Sequence, residues 1–522
     1  MKINIHIKND SILVKVGIIV FNLAFFSLMA WLLPIHFENS DDVLMCQIAN
    51  GTELDKPDCH LVFINAIYGS ILATLYRITT IVEWYTVLFS LFHILSISVI
   101  IYSIYKTTIN KYLKAMIDIF VYVYWIAIIQ SMQFTTTAGV LTLAACLLLL
   151  KENKRYVIYG VVGIILGSLI RFSAAALTTL LFAPIFFLYF KTNYKKYISL
   201  VIIVISVFII KESDKLFYNT KELKYYTEYN LIRGKINDNP NAWRINESEL
   251  YNIGITEEDF VNLMEFIPDP EIITLPIIKK IYTIINDVPI TKKIKNLKQL
   301  KPFTLSISLI ILAIILVFFY SRQKFTKIML VLLCCIFLSV LFILSLNTLW
   351  TVKLRMFFLI NLVIIISLVQ IINITPKCNV FGLSVCFFLL ITLQIKNIYE
   401  RHTIIEQRTQ IWNEKSKLLQ DIPNNGYVIW VWDQYLLNPF HIKEFHTKLY
   451  PWVWLTNFPM SDHHIGTSHR CLTNDNVFFC APINPKGEYD CFNSYLSRKY
   501  GINTIATIFR ENDKYAIIQL KE

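Results

Sequence analysis

The sequence predicts a polytopic α-helical membrane protein of about eleven transmembrane helices, ending in a small extracytoplasmic α/β domain. Two observations predict the membrane class. Of 522 residues, 55% are hydrophobic and 16% charged, with a mean hydropathy of +0.51. Apolar runs of about 15 to 20 residues, the length needed to cross a bilayer, recur along the chain. A third predicts the tail: beyond residue 396 the runs become short, β-branched and aromatic.

The first apolar run, Ile12 to Leu33, is too long for a signal-peptide core and lacks a small-residue cleavage site, so it reads as a retained span. Further spans fall at Trp84 to Tyr105, Met116 to Gln130, Phe134 to Leu150, Tyr156 to Ile170, Ala174 to Phe190 and Tyr197 to Ile210. The last four fall at Phe303 to Tyr320, Ile328 to Leu346, Met356 to Ile372 and Val380 to Ile395. One stretch, His60 to Tyr76, is ambiguous. If it does not cross, the basic loops around Lys15, Lys106, Lys114, Lys154, Lys196 and Lys327 all fall on the cytoplasmic side, as short inner loops require. It therefore reads as a helix at the outer interface. The N-terminus is then cytoplasmic and residues 397–522 are outside.

Three polar parts share that outer side: a loop over 34–83, a long loop over 211–302, and the tail. The first loop opens with PIHFENSDD and holds Glu38, Asp41, Asp42, Glu53, Asp55 and Asp58 against a single nearby base, Lys56, in a chain of formal net charge +12. Solvation alone accounts for polar loop residues. The position of Asp41 and Asp42, just past a span, also suits carboxylates that meet a lipid head group. Cys46 and Cys59 bracket the acidic part of the loop as a plausible disulfide, and Cys471, Cys480 and Cys491 lie in the tail on the same oxidising side.

The long loop clusters Tyr225, Tyr226 and Tyr229 with Asn230 and Arg233, and turns at Asn239 and Pro240. Arg233 either grips a phosphate bidentately or anchors the loop. GITEEDFVNLMEFIP reads as a short helix capped by Thr256. In the tail, GYVIWVWD, NTIATIFR and KYAIIQL read as strands, and ERHTIIEQRTQIWNEKSKLLQ as a helix. SDHHIGTSHRC matches no established zinc spacing and reads as a polar loop. YPWVWLTNFP is either core or a sugar-stacking platform.

Polar residues at membrane depth are costly and informative. Gln133 with Thr135, Thr136 and Thr137, then Arg171, then Arg355, all fall at the outer edge with Asp41 and Asp42. Each alone is a capping or snorkelling residue. Together they suggest a cavity opening outward, carboxylates on one wall and guanidinium groups on another.

The segments ENSDD, INAIYGSILATLY, EWY, QFTTTAG, SLIRF and YNLIRGKIND resemble those of the GT-C superfamily of integral-membrane glycosyltransferases. The likeness is to bacterial members that decorate surface polysaccharide, such as serotype-converting O-antigen glucosyltransferases, and covers the N-terminal two thirds; the transmembrane GT-C-like domain is expected over 1–396. It implies a GT-C-like fold in a bacterial cytoplasmic membrane and a polyprenyl-phosphate-linked sugar donor. The acceptor would be a surface polysaccharide or lipid-linked glycan, and no nucleic acid is expected. The resemblance places the catalytic base on Asp42 or Asp41, and Glu38 is the next candidate if the loop begins as a helix that sets it one turn before Asp42. Arg171, Arg233 and Arg355 would hold phosphate, with Tyr229, Asn230 and Gln133 around the substrate. Carboxylate oxygens of Asp41 and Asp42 also suit Mg²⁺ or Mn²⁺. A polysaccharide polymerase or ligase shares the spans and arginines but does not call for the acidic pair. A flippase or other transporter favours mid-membrane charges and repeated halves.

Overall fold

The computed structural model describes residues 12–38, 40–52, 56–190, 194–239, 242–264, 269, 271–286, 354–374, 380–419, 422–423, 426–430, 448–450, 472–483 and 493–522. Helix α1 (Ile12–Leu32) leads through a two-residue strand, β1 (His36–Phe37), into a short acidic helix, α2 (Ser40–Asn50). Then come α3 (Ala66–Ile78), α4 (Trp84–Tyr105), α5 (Lys111–Gln130), β2 (Ser131–Met132), α6 (Phe134–Leu149), α7 (Lys154–Phe190) and α8 (Tyr194–Phe217).

Among the described residues five helices, α1, α4, α5, α7 and the later α14 (Val380–Leu419), are long and apolar enough to cross a membrane. Among the described residues the expected count of about eleven is met in part. The two spans expected at 156–170 and 174–190 are the two helical halves of α7, which break at Arg171, where the backbone leaves helical geometry (φ −153°, ψ 98°). Helix α6 has 16 residues, a rise of about 24 Å against a hydrocarbon core of about 30 Å. Helix α8 carries Lys195 and Lys196 in its first turn and Lys211, Glu212, Asp214 and Lys215 towards its end. The span expected at 356–372 falls within α13 (Leu354–Ile374), a helix of 21 residues. Those expected at 303–320 and 328–346 lie outside the described residues. The ambiguous stretch after His60 forms α3, 13 residues long, about 20 Å and too short to cross.

The bundle has two chemically different ends. At one, Lys15 Nζ donates to Tyr156 OH at 2.6 Å, Lys114 Nζ to the Thr107 carbonyl at 2.5 Å, and Lys196 Nζ to the Leu150 carbonyl at 3.2 Å and to Glu152 at 3.0 Å. Lysines there satisfy helix-end carbonyls that the helices leave open. At the other end lie α2, α3 and the kink of α7. Between them buried polar contacts join the helices: His93 Nε2 lies 2.9 Å from Thr137 Oγ1, and fully buried Asn22 donates to Ser98 Oγ at 2.9 Å and accepts from Tyr122 OH at 2.7 Å. The Asn22 clasp joins α1, α4 and α5 by the polar contacts that substitute for hydrophobic driving force in lipid. Gly160, Gly163 and Gly167 let α7 close on Ala145, Leu149 and Thr142 of α6, where a Cβ would collide.

The long loop folds on its own apolar cluster, built from α9 (Lys221–Asn237), α10 (Glu247–Asn252), α11 (Glu257–Met264) and α12 (Leu275–Asn286). The expected cap of α11 is present: the Asp259 amide donates to Thr256 Oγ1 at 3.2 Å, and the Thr256 amide to Asp259 Oδ2 at 2.8 Å.

Across residue 396, α14 runs 40 residues without interruption from apolar to charged sequence. It delivers the chain to a five-stranded sheet of order β4-β3-β5-β7-β6. The strands are β3 (Tyr427–Trp430), β4 (Lys448–Tyr450), β5 (Val477–Pro482), β6 (Ile505–Glu511) and β7 (Tyr515–Lys521), with α15 (Asn493–Tyr500) between β5 and β6. β3 pairs in parallel with β4 and β5, while β7 runs antiparallel to β5 and β6. Central β5 was not foreseen. It is buried on both faces, so it shows no alternation. Val477, Phe479 and Ala481 pack towards α15, while Phe478 and Cys480 join the bundle's core beside Leu418 and Leu419. SDHHIGTSHRC, YPWVWLTNFP beyond Tyr450, and Cys491 lie outside the described residues.

The expected Cys46–Cys59 bridge is not formed. Both are thiols: Cys46 Sγ sits 3.7 Å from Tyr76 OH and donates to Glu83 Oε2 at 3.8 Å, while Cys59 faces His60.

Candidate active site

The end opposite the lysines is built on a joint between distant segments. β1 pairs in parallel with β2, His36 against Ser131 and Phe37 against Met132, and the Glu38 amide donates to the Met132 carbonyl at 3.1 Å. The chain leaving α1 is thus fixed to the α5–α6 connection before α2 begins. Asp41 and Asp42 fall in the first turn of α2, where the helix dipole favours carboxylates.

Neighbours on a helix point about 100° apart, and the two aspartates have different surroundings. Asp42 is fully buried. Its Oδ1 accepts from Tyr85 OH at 2.9 Å and from the Phe134 amide at 3.0 Å. The second bond occupies a helix N-terminal N–H, and together they lock α2 to α4 and α6. Asp41 is half-buried and within electrostatic range of Arg233. Glu38, also half-buried, is within range of Arg401 on the charged half of α14.

The expected substrate residues divide likewise. Gln133 is fully buried and caps α6, its side chain accepting the Thr135 amide at 3.0 Å, while its carbonyl takes the Thr136 and Thr137 hydroxyls at 2.9 Å each. Arg171 donates to the Phe63 carbonyl at 3.2 Å, and its guanidinium lies 5.7 Å from the Phe63 ring centroid and 5.2 Å from that of Phe134. Arg171 and Asp42 therefore meet at one residue: Phe134 gives its amide to the carboxylate and its ring face to the guanidinium. Arg233 is buried on α9 with Tyr226 and Tyr229 and donates to Asn230 Oδ1 at 2.7 Å. Burial pulls its pKa below the ordinary value, and Tyr226, Tyr229, Asp41 and Asp238 oppose that shift. Arg355 falls in the first turn of α13, and its side chain lies outside the described residues.

Several residues at this end were not singled out from the sequence. His36 is 7% exposed and its Nδ1 donates to the Gln130 carbonyl at 2.7 Å. Burial, with the charges of Arg408 and Arg401 against it, lowers its pKa to about 4, so the ring is neutral near pH 7; the bond to Gln130 opposes this. The Gln130 amide nitrogen reaches His402 Nδ1 at 3.5 Å. Buried Glu83 takes the Tyr76 hydroxyl at 3.2 Å beneath α2. The seven-residue spacing of Arg401 and Arg408, two helical turns, was the legible signal for a basic stripe.

Among the described residues one group of three side chains brings metal-ligand atoms together: Asp58, Cys59 and His60. His60 Nδ1 donates to Asp58 Oδ1 at 2.6 Å and its Nε2 to the Phe217 carbonyl at 3.2 Å. Burial alone would lower the His60 pKa, but the hydrogen bonds and charges of Asp58 and Cys59 outweigh it and raise it to about 10. An imidazolium with both nitrogens donating offers no lone pair to a metal. The group instead staples the acidic loop to α8. The Asp41–Asp42 pair does not fit a Mg²⁺ or Mn²⁺ site either. Its side chains diverge, and Asp42 Oδ1 is already taken by two donors, whereas such ions need several convergent oxygens.

The fold and this site define a helical bundle with several helices apolar enough to span a membrane, a small C-terminal β-sheet domain, and a carboxylate and arginine cluster at one end. Comparison of the chain with protein-family models, with curated proteins and with solved structures finds no match to any of them.

Proposed function

We propose that the protein is a bacterial membrane glycosyltransferase with a GT-C-like architecture. It moves a sugar from a polyprenyl-phosphate donor to a surface polysaccharide or lipid-linked glycan on the outer face of the cytoplasmic membrane. The observation that carries the reading is the gathering of Glu38 and Asp41 with Arg233 and Arg401 at the bundle end opposite the lysines. Basic loops face the cytoplasm, which puts this cluster outside, where sugars are supplied on lipid phosphate rather than as nucleotide sugars.

Asp41 is the base in this reading and Glu38 the next candidate. Asp42, enclosed between Tyr85 and Phe134, holds the acidic helix in place. Asp41 takes the proton of the acceptor hydroxyl as that oxygen bonds to the anomeric carbon. The bond from that carbon to the phosphate oxygen breaks, and the prenyl phosphate leaves with the electron pair. Guanidinium groups stabilise the charge growing on it. Arg233 supplies this positive charge beside Asp41, while Arg171, bound to Phe63 and Phe134, shapes the wall. The test is transfer of sugar from a polyprenyl-phosphate sugar by the purified protein in proteoliposomes without an ion gradient. Movement of the lipid without transfer sinks the reading.

A further inference from the structure

Residues 60–66, between α2 and α3, form a strap bonded both to the break in α7 and to the end of α8. The Asn65 amide donates to the Leu169 carbonyl at 3.0 Å, in the last turn before Arg171, where helical carbonyls lose their own donors. Arg171 returns a bond to the Phe63 carbonyl at 3.2 Å. Towards α8, His60 Nε2 donates to the Phe217 carbonyl at 3.2 Å and the Val62 amide to Tyr218 OH at 3.1 Å. Asn65 Nδ2 donates to the Ile210 carbonyl at 3.1 Å and the Ala66 amide to Asp214 Oδ1 at 2.8 Å. That end of α8 is the root of the long loop that carries Arg233.

At its centre the strap turns sharply. The Phe63 amide donates to the Leu61 carbonyl at 2.6 Å, and Val62 between them has φ +64°, the one positive φ outside glycine among the described residues. A bond spanning two residues with positive φ in the middle is the rare γ-turn, and a β-branched residue is strained there. Such strain persists only where its surroundings hold it, here the bonds to α7 and α8. The turn sets the Phe63 ring on Phe134, centroids 6.1 Å apart and planes within 9°, and the Arg171 guanidinium lies against both rings. Phe134 in turn gives its amide to Asp42.

We infer that Val62 and Phe63 are positioning residues for the base. The turn at Val62 seats Phe63, Phe63 and Arg171 hold Phe134, and Phe134 fixes Asp42 and with it the helix that carries Asp41. Because the strap is also bonded to α8, it sets the base helix against the root of the loop that brings Arg233. The inference rests on the transferase reading and deepens it. A displacement of about 1 Å at a reacting group costs about 10² in rate, so a strap that touches no substrate still governs turnover.

The test uses the full-length protein in phosphatidylcholine proteoliposomes, with farnesyl-phosphoryl-glucose as donor and the lipid-linked glycan fraction of native membranes as acceptor. Phe63→Leu should lower kcat about tenfold or more with KM within about twofold of wild type. It should also speed hydrogen exchange severalfold over 40–50 and leave 380–419 unchanged. Phe63→Tyr keeps the ring and should restore both readouts. Val62→Pro fixes φ near about −65°, cannot make the turn and should behave as Phe63→Leu. Val62→Gly takes positive φ freely and should keep the wild-type kcat. Unchanged exchange over 40–50 in both Phe63→Leu and Val62→Pro overturns the inference, as does a raised KM at wild-type kcat. Phe63→Tyr as slow as Phe63→Leu, or equal loss in Val62→Gly and Val62→Pro, overturns it too. Failure of the transferase reading is distinct: the wild type itself would then turn over no donor, and exchange over 40–50 would still decide the positioning.

Discussion

Asp42 accepts the Phe134 backbone amide at 3.0 Å across 92 residues of chain, and the same oxygen takes the Tyr85 hydroxyl at 2.9 Å. A carboxylate so enclosed is an anchor for α2. Asp42→Ala leaves two buried donors without an acceptor, at about 1–3 kcal/mol each. Its thermal midpoint in detergent should fall by several degrees. Asp41→Asn should keep the midpoint and lower sugar transfer by about 10² or more. The opposite pattern returns the base to Asp42.

The tail and the long loop are latched together. Tyr495 OH donates to Asp269 at 2.9 Å, Lys499 Nζ to Asp259 at 2.7 Å and Arg498 to Glu258 at 2.5 Å, with Tyr500 also on Asp269. Asp259 and Asp269 are buried, and burial together with Asp269 pushes the Tyr495 pKa upward. Lys499→Ala removes the cation from a buried carboxylate and should cost about 1–3 kcal/mol. Hydrogen exchange over residues 257–264 should speed up accordingly. Unchanged exchange would mean that α11 is held by its apolar cluster alone.

His36 makes the site end acid-sensitive. Its pKa is about 4 when folded against an ordinary 6.5, so protonation favours the unfolded chain. The stabilisation is complete above about pH 6.5 and is lost as pH falls through 4, to a total of about 3 kcal/mol. His36→Gln should flatten the dependence of the thermal midpoint on pH between 4 and 6.5. A wild-type midpoint already flat over that interval contradicts the assignment.

The lysine-rich end is expected to face the cytoplasm and residue 522 the outside. A reporter fused after Glu522 that is active only outside the cytoplasm is the expected result. Activity only in the cytoplasm would place the acidic cluster on the wrong side for a lipid-phosphate donor.

Hydrophobic runs are a local property, so the helices at 84–105, 116–130 and 380–395 were legible in the sequence, as were the Thr256 cap and three of the tail strands. The continuity of the last span was not: chain composition does not reveal that α14 continues for 40 residues into the tail. Strand β5 was hidden because burial on both faces removes the alternation that marks a strand.

For the site, the sequence by itself determined that carboxylates follow the first span and that Arg171 and Arg233 lie in separate later segments. Only the tertiary structure decided that Asp42 turns inward to Tyr85 and Phe134 while Asp41 is placed within range of Arg233. It also decided that His36, Gln130 and Arg401, up to 365 positions apart in the numbering, share one corner. The physical reason is that side-chain direction on a helix and long-range pairing such as His36 with Ser131 are set by packing between elements, which no local window of sequence contains.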